Sequence, residues 1–400
     1  MSLLPTPTDP SQLSLPALFL KFLRFGALAF GGPVAQIAMI RHALVDQERW
    51  IDSARFNRLL AVLQVLPGPE AHELCVHLGM IARGRIGGLL AGLGFMLPGL
   101  LLVLLAGWLY VTWIAGDPGL TGVLLGVQIA VLAIILRAMV RIGQHIIEDR
   151  LLAVIAIASL LATLAAVPFW IPLIAGGLVY AAAQRPPVAL AVGIAAIGAA
   201  VAARQLAIPD PGAALVAGAA NAPITLLALF VAGLKGGLLT FGGAYTAIPY
   251  VRADTVGRGW IDDATFLDGV ALAGILPAPL VIFATFVGYV VGGPGGALAI
   301  TAGMFLPAFA FSLIFFERLE AVVENPALHR LLAGVAAAVV GVIAATFIQL
   351  GEVTAARVAA PLPAILLFAL ALAAVWRIKG AWVTPAIIAA AALAGWLLVL

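Results

Sequence analysis

Phe30-Gly31-Gly32, Trp50-Ile51-Asp52 and Leu66-Pro67-Gly68-Pro69 follow one another near the start of the chain. The same order returns as Phe241-Gly242-Gly243, Trp260-Ile261-Asp262 and Leu276-Pro277-Ala278-Pro279. Each copy leads into a Gly-rich apolar stretch with one more Leu-Pro, Leu97-Pro98 in the first and Leu306-Pro307 in the second. The correspondence continues beyond this block. Gly79 matches Gly288, Asp117-Pro118 matches Asn325-Pro326, Gly126 matches Gly334, and Ile142-Gly143 matches Leu350-Gly351. The offset is 211 positions from Phe30 to Phe241 and 208 from Gly126 to Gly334, so a few single-residue gaps suffice. A duplicated structural unit is the economical reading. Repeats of this kind are common in secondary transporters, with the substrate site at the repeat interface.

Composition sets the solvent. Of 400 residues 64% are hydrophobic and only 10% are charged, whereas soluble domains carry about a quarter charged residues. Charge-free runs of this length fit a bilayer, whose hydrocarbon is spanned by about 20 apolar residues. The alternation of a barrel strand is absent. A net charge of +3, with the basic residues mostly in short loops, reflects the positive-inside rule rather than nucleic-acid binding. The single Cys75 excludes an internal disulfide and a Cys-rich metal site. Met1 to Gln12 has no basic n-region or small-residue cleavage pattern, so no cleaved signal peptide is expected.

The expected organisation is a polar tail over 1–13, a first repeat over 14–185, an extra transmembrane segment with a Pro-rich linker over 186–223, and a second repeat over 224–400. In the first repeat the apolar segments lie at 15–40, broken by Gly31-Gly32-Pro33, at 59–82, broken by Pro67-Gly68-Pro69, and at 86–115, broken by Pro98. Further segments follow at about 119–140, 151–167 and 169–183. Suppose the Pro67–Pro69 segment dips into the membrane and returns. The loops holding Arg41, Arg49, Arg55, Arg58, Arg83, Arg85, Arg137, Arg141, Arg150 and Arg185 then share one face. Positive-inside makes that face cytoplasmic. For 15–40 a broken spanning helix and a second hairpin both fit. Segment 188–203 has no counterpart at the chain's end. If it spans, the crossings between the repeats are odd in number and the second repeat is inverted. The fold class expected is an all-α polytopic membrane protein of two homologous helical repeats, inverted, with broken or re-entrant helices.

The breaks are the first candidates for chemistry. Proline inside a helix removes a hydrogen bond, and in lipid the freed backbone must find a partner. Broken helices persist where their backbone lines a cavity, and half-helix N-termini can then face an anion. The alternative is a plain kink, common in membrane helices; matched breaks in both halves favour the site. The binding candidates are therefore Gly31, Gly32, Pro67, Gly68, Pro69, Gly242, Gly243, Pro277 and Pro279. Arg24 and Lys235 each stand seven residues ahead of the first glycine of a break, at Gly31 and Gly242. A charge at membrane depth is costly and usually functional, although either side chain could snorkel to a headgroup. If both point inward they suit an oxyanion.

Glu70, His72, Glu73 and His77 follow the first Pro-Gly-Pro, where the second repeat has Leu280, Ile282, Phe283 and Val287. This one-sided cluster is a candidate for coupling or gating; its bland reading is a polar, water-lined end of a hairpin. A zincin reading fails, because five residues from His72 to His77 overturn the helix for a shared ligand face. The two Trp-Ile-Asp strings read as interface anchors, with Asp52 and Asp262 as N-caps. No P-loop, nucleophile elbow or Cys/His spacing occurs. No catalytic residue, metal or cofactor is expected. An enzyme acting on lipid phosphates would need a clustered nucleophile or metal ligands.

Taken in order, these residues resemble the chromate ion transporter family in its long, two-domain form. The resemblance rests on Phe22-Leu23-Arg24-Phe25-Gly26-Ala27-Leu28-Ala29-Phe30-Gly31-Gly32-Pro33, on Leu66-Pro67-Gly68-Pro69-Glu70, on Gly94-Phe95-Met96-Leu97-Pro98-Gly99, and on the block from Lys235 to Pro307. It covers nearly the whole chain. It implies export of chromate from the cytoplasm across the inner membrane, conferring chromate resistance, with sulfate as the competing anion. Uptake or exchange of sulfate is the runner-up. The partners expected are the oxyanion and the bilayer, with no nucleic acid; a homodimer is left open. One departure stands out. Ala278 occupies a position where the family pattern has Gly, which weakens the case for anion binding by that backbone.

Overall fold

The structure is a computed structural model that describes residues 10–30, 32–63, 68–205, 224–240, 244–314, 326–378, 380 and 382–398. Among these residues the chain is helical, with no strand. The first repeat holds α1 (Leu15–Ala27), α2 (Gly32–Arg41), α3 (Ser53–Leu63), α4 (Glu70–Leu109), α5 (Thr121–Ile146), α6 (Arg150–Leu164) and α7 (Trp170–Ala181). After α8 (Pro186–Gln205) the second repeat holds α9 (Leu226–Leu238), α10 (Ala247–Thr255), α11 (Asp263–Ile275), α12 (Phe283–Ile314), α13 (Pro326–Arg357), α14 (Pro361–Arg377) and α15 (Val383–Leu398). The linker expected around 208–223 and residues 1–9 of the expected tail lie outside the described residues.

Matched caps start matched helices. Ser14 Oγ accepts from Ala17 N at the head of α1, and Thr225 Oγ1 accepts from Ala228 N at the head of α9. Asp52 accepts from Arg55 N ahead of α3, and Asp262 accepts from Thr265 N ahead of α11. Each such cap contributes about 1 kcal/mol. Trp50 differs from expectation, whereas Trp260 is half-buried beside an open cleft. Trp50 is buried, donates to Glu48 and lies edge-on to Phe22, so it belongs to the core rather than the headgroup layer.

α4 and α12 are each two arms folded on one another. The bends fall at Arg83-Gly84 and Gly292-Gly293, and both glycines adopt φ of 61° with ψ near the extended value. That region is open essentially to glycine alone. Across the bends the arms pack closely. A Cβ on Gly79 would meet Gly87 O at 2.5 Å, and one on Gly288 would meet Gly296 O at 2.6 Å. Pro98, expected to break its segment, instead sits inside the second arm of a continuous helix, as does its counterpart Pro307. The carbonyls near each proline are covered by a glycine α-carbon of the first helix of the repeat: Gly26 lies on the Gly94 and Phe95 carbonyls, and Gly237 on that of Met304. A side chain at either glycine would collide with these carbonyls.

The first two helices of each repeat form a hairpin, which resolves the question left open for 15–40. In the first, Lys21 pairs with Glu48. In the second, Lys235 pairs with Asp254. α1 runs parallel to the second arm of α4, with Leu18 beside Gly87 and Gly26 beside Phe95. It therefore enters from the face on which Arg83 and Arg85 lie and stops partway across. The first arm of α4 ends at the Arg83-Gly84 bend on that face.

Corresponding helices of the two repeats run antiparallel. Between the second arms of α4 and α12, Gly88 lies on Leu313 and Gly92 on Phe309. Between α5 and α13, Gln128 meets Arg357 and Gly143 faces Val340. Ascending one helix descends the other in both pairs, so the repeats are inverted. They are also interlocked. α5 packs on α14 and α15, with Gly126 against Ala391 and Gly395, while α13 packs on α6 and α7, with Gly334 against Gly176. One buried core runs through both halves. Outward, large apolar side chains such as Leu101, Leu105, Ile157, Leu161, Leu366 and Leu370 are exposed, the surface a bilayer covers. Five helical stretches of the described residues are long and apolar enough to cross a membrane, α8 among them.

Candidate functional site

Each repeat has one break between its first two helices and another before its long bent helix. The four breaks meet in two pairs across the repeat interface. In one pair, Gln36 Nε2 donates both to Ala29 O, at the first break, and to Ala278 O, at the last, at 2.8 and 2.9 Å. In the other, Gly68 N donates to Thr240 O at 2.8 Å, and Thr240 Oγ1 is held by Gly236 O. Each pair thus joins a first break of one repeat to a second break of the other, as a pseudo-two-fold requires.

Small residues allow the approach. Ala278 points its methyl at Gly99, and a Cβ on Gly99 would collide with it. On the symmetric side the exchange is reversed: Gly68 faces the methyl of Ala308. The departure from the Gly pattern at 278 is therefore compensated by Gly99. Gly68 keeps a φ of 149°, a backbone suited to glycine. Gly68, Pro69, Pro277 and Pro279 are all buried. Gly32, half-buried with φ 79°, opens α2. Gly31, Pro67, Gly242 and Gly243 lie outside the described residues.

Half-helices begin at these ties. α2 starts at Gly32, the first arm of α4 at Glu70, and a short turn over Leu280–Ile282 leads into α12. Their N-termini carry the positive ends of the peptide dipoles, each about half a charge, a setting that favours an anion.

The acidic cluster lies on the first arm of α4. Glu70, His72, Glu73 and His77 are all buried, Glu73 and His72 completely. The Glu73 carboxyl hangs over Gly68, where an added Cβ would meet Oε1 at 2.5 Å. His72 crosses the interface, its ring edge-on to Phe305 and Phe309 at 4.9 and 4.7 Å. Neither Glu73 oxygen and neither His72 nitrogen has a hydrogen-bond partner of good geometry among the described residues. The matching positions of the second repeat, Leu280, Ile282, Phe283 and Val287, are buried and apolar.

The two cations part company. Arg24 is exposed on α1. Lys235 is turned inward: its Nζ lies 3.0 Å from the Asp254 carboxylate, which Arg258 also reaches at 3.3 Å, and 4.2 Å from the centre of the Phe169 ring. Gln36 and Asp254 join this candidate site through their contacts, although the sequence reading did not single them out. Gln36 is the lone polar residue between Pro33 and Ile40, a signal that a search for isolated polar groups in broken apolar segments would have caught.

Comparison with known proteins agrees with the two-repeat layout. The family model described as chromate transporter matches residues 16–182 and 227–396, one match per repeat. The chain is 58% identical to the chromate transport protein of Pseudomonas aeruginosa over 98% of its own length and 94% of the relative's. It is 33% identical to the chromate transport protein of Cupriavidus metallidurans, over 96% and 92% of the two chains. It is 30% identical to a probable chromate transport protein of Synechococcus elongatus, over 96% and 95%. No solved structure matches the chain.

Proposed function

Because this chain belongs to the chromate transporter family, we propose that it is a secondary transporter exporting chromate across the plasma (inner) membrane, and that it confers chromate resistance. The observation that carries the reading is the pairing of four helix breaks across inverted repeats, with half-helix N-termini at each tie. Such an arrangement offers backbone donors and positive dipole ends to an oxyanion.

In this reading Gly31, Gly32, Pro67, Gly68, Pro69, Gly242, Gly243, Pro277 and Pro279 shape the backbone around the anion. Arg24 and Lys235 compensate its charge, Lys235 being released from Asp254 as substrate arrives. Glu70, His72, Glu73 and His77 couple transport to protons or gate the path, since a buried carboxyl without a partner is costly unless something neutralises it. Sulfate, of the same shape and charge, competes. The repeats divide at 14–185 and 224–400, with 186–223 carrying the extra span, and two chains assembling as a homodimer is part of the same proposal.

The test is flux of labelled chromate and sulfate in proteoliposomes, under an imposed potential and then under a pH gradient. Chromate flux that responds to one gradient is expected, and absence of flux for either anion under both would overturn the reading. Lys235→Met separates charge compensation from packing. Alone it removes one of the two cations on the buried Asp254 carboxylate, leaving Arg258 at 3.3 Å, and should destabilise the protein by about 1–3 kcal/mol. Lys235→Met combined with Asp254→Asn should recover thermal stability but not chromate flux; recovered flux would remove Lys235 from the site.

A further inference from the structure

At the face opposite the basic loops, one polar network joins the two repeats. Asp268, on α11 and 3% exposed, accepts from Tyr110 Oη at 2.8 Å and from Gln128 Nε2 at 2.8 Å. Gln128, fully buried on α5, reaches Ala264 O with the same amide nitrogen, and its Oε1 accepts from Arg357 Nη1 at 3.0 Å. Tyr110 closes the second arm of α4, which begins near Arg85 on the basic face, so the network lies at the far end of that arm. The Tyr110 ring is fixed edge-on to Phe286. Tyr110 and Gln128 belong to the first repeat, Asp268 and Arg357 to the second.

The network cannot be repeated on the other face. By the offsets of the duplication, Arg58 stands where Asp268 does, Ala336 where Gln128 does, and Asp149 where Arg357 does. Ala336 has no group to bridge with, and Asp149 is occupied in capping α6 and in accepting from the Tyr180 hydroxyl. Inverted repeats open alternately to either side by moving against each other, and bonds that span them must break on the side that opens. A hydrogen-bonded carboxylate joined to both repeats on one face alone therefore biases the equilibrium towards closure there.

We propose that Tyr110, Asp268, Gln128 and Arg357 form a latch that holds the protein closed on the face opposite the basic loops and that must open in each transport cycle. The proposal rests on the transporter reading but is tested without substrate. In a Cys75→Ala background, Ala271→Cys places a thiol one turn deeper on α11, at a position 1% exposed, and Val256→Cys places one in the open cleft beside Trp260 and Asp262. A membrane-impermeant maleimide is applied from the side of that cleft to the full-length protein in oriented vesicles. Adding Tyr110→Phe, which removes only a hydroxyl, or Asp268→Asn should raise labelling of Ala271→Cys about ten-fold and leave Val256→Cys unchanged. Unchanged labelling of Ala271→Cys in both variants overturns the latch. Should Asp268→Asn misfold, Tyr110→Phe alone decides. Absence of wild-type anion flux would count against the transport reading, while the labelling shift would still stand.

Discussion

Ala278 fills with its methyl the space that Gly99 leaves, and Gly68 leaves room for the methyl of Ala308. Neither residue of a pair is interpretable alone. A methyl added at Gly99 overfills a contact between two backbones that cannot move apart without breaking the Gln36 bridge to Ala278 O. Gly99→Ala should therefore cost about 1–3 kcal/mol, seen as a lower melting temperature of the purified protein. Gly99→Ala with Ala278→Gly recreates the arrangement found on the symmetric side and should restore most of that stability, because the total volume is kept. A double variant no more stable than Gly99→Ala would show that the contact is not limiting. Gln36 belongs to this scale too. Its amide nitrogen already serves two carbonyls, which also fixes which way the amide points.

The bent helices are the elements on which both ties depend. Their hinge conformation, φ 61° with ψ −157° at Gly84 and −159° at Gly293, is the same in both repeats although the preceding residues are Arg83 and Gly292. At Gly293 a Cβ would meet no atom within 4 Å, so the effect of Gly293→Ala is backbone strain alone, about 1–3 kcal/mol. The expected outcome is a clear drop in melting temperature, matched by Gly84→Ala and not by a Gly→Ala change at exposed Gly198, where a Cβ is also unopposed. The duplication, the break before Glu70 and the Asp caps were legible because each is a local signal, a repeated string or a residue type with one backbone use. Pro98 misled because sequence shows the hydrogen bond that proline loses but not Gly26 lying on the carbonyls beside it. The Lys235–Asp254 pair and the outward face of Arg24 were hidden for a related reason: equal distances from a break do not fix which side of a helix faces the partner repeat.

At the scale of the whole molecule, inversion follows from two independent antiparallel pairs, α4 with α12 and α5 with α13. α8, which packs chiefly on α7, is long and apolar enough to supply the odd crossing that inversion requires. The charge distribution alone decides less, since the basic residues of the second repeat fall on both faces. Ala54 and Ala264 are repeat equivalents, each two residues after its N-capping Asp. In an inverted pair they must face opposite sides of the membrane; in a parallel pair they would share one. Ala54→Cys and Ala264→Cys are small changes at positions that are exposed and half-buried, and the native Cys75 is fully buried and should not compete for reagent. An impermeant thiol reagent added from one side should label one variant and spare the other, and reversing the side should exchange them. Labelling of both from the same side would reject the inverted architecture, and with it the pairing of each break with its counterpart across a pseudo-two-fold axis.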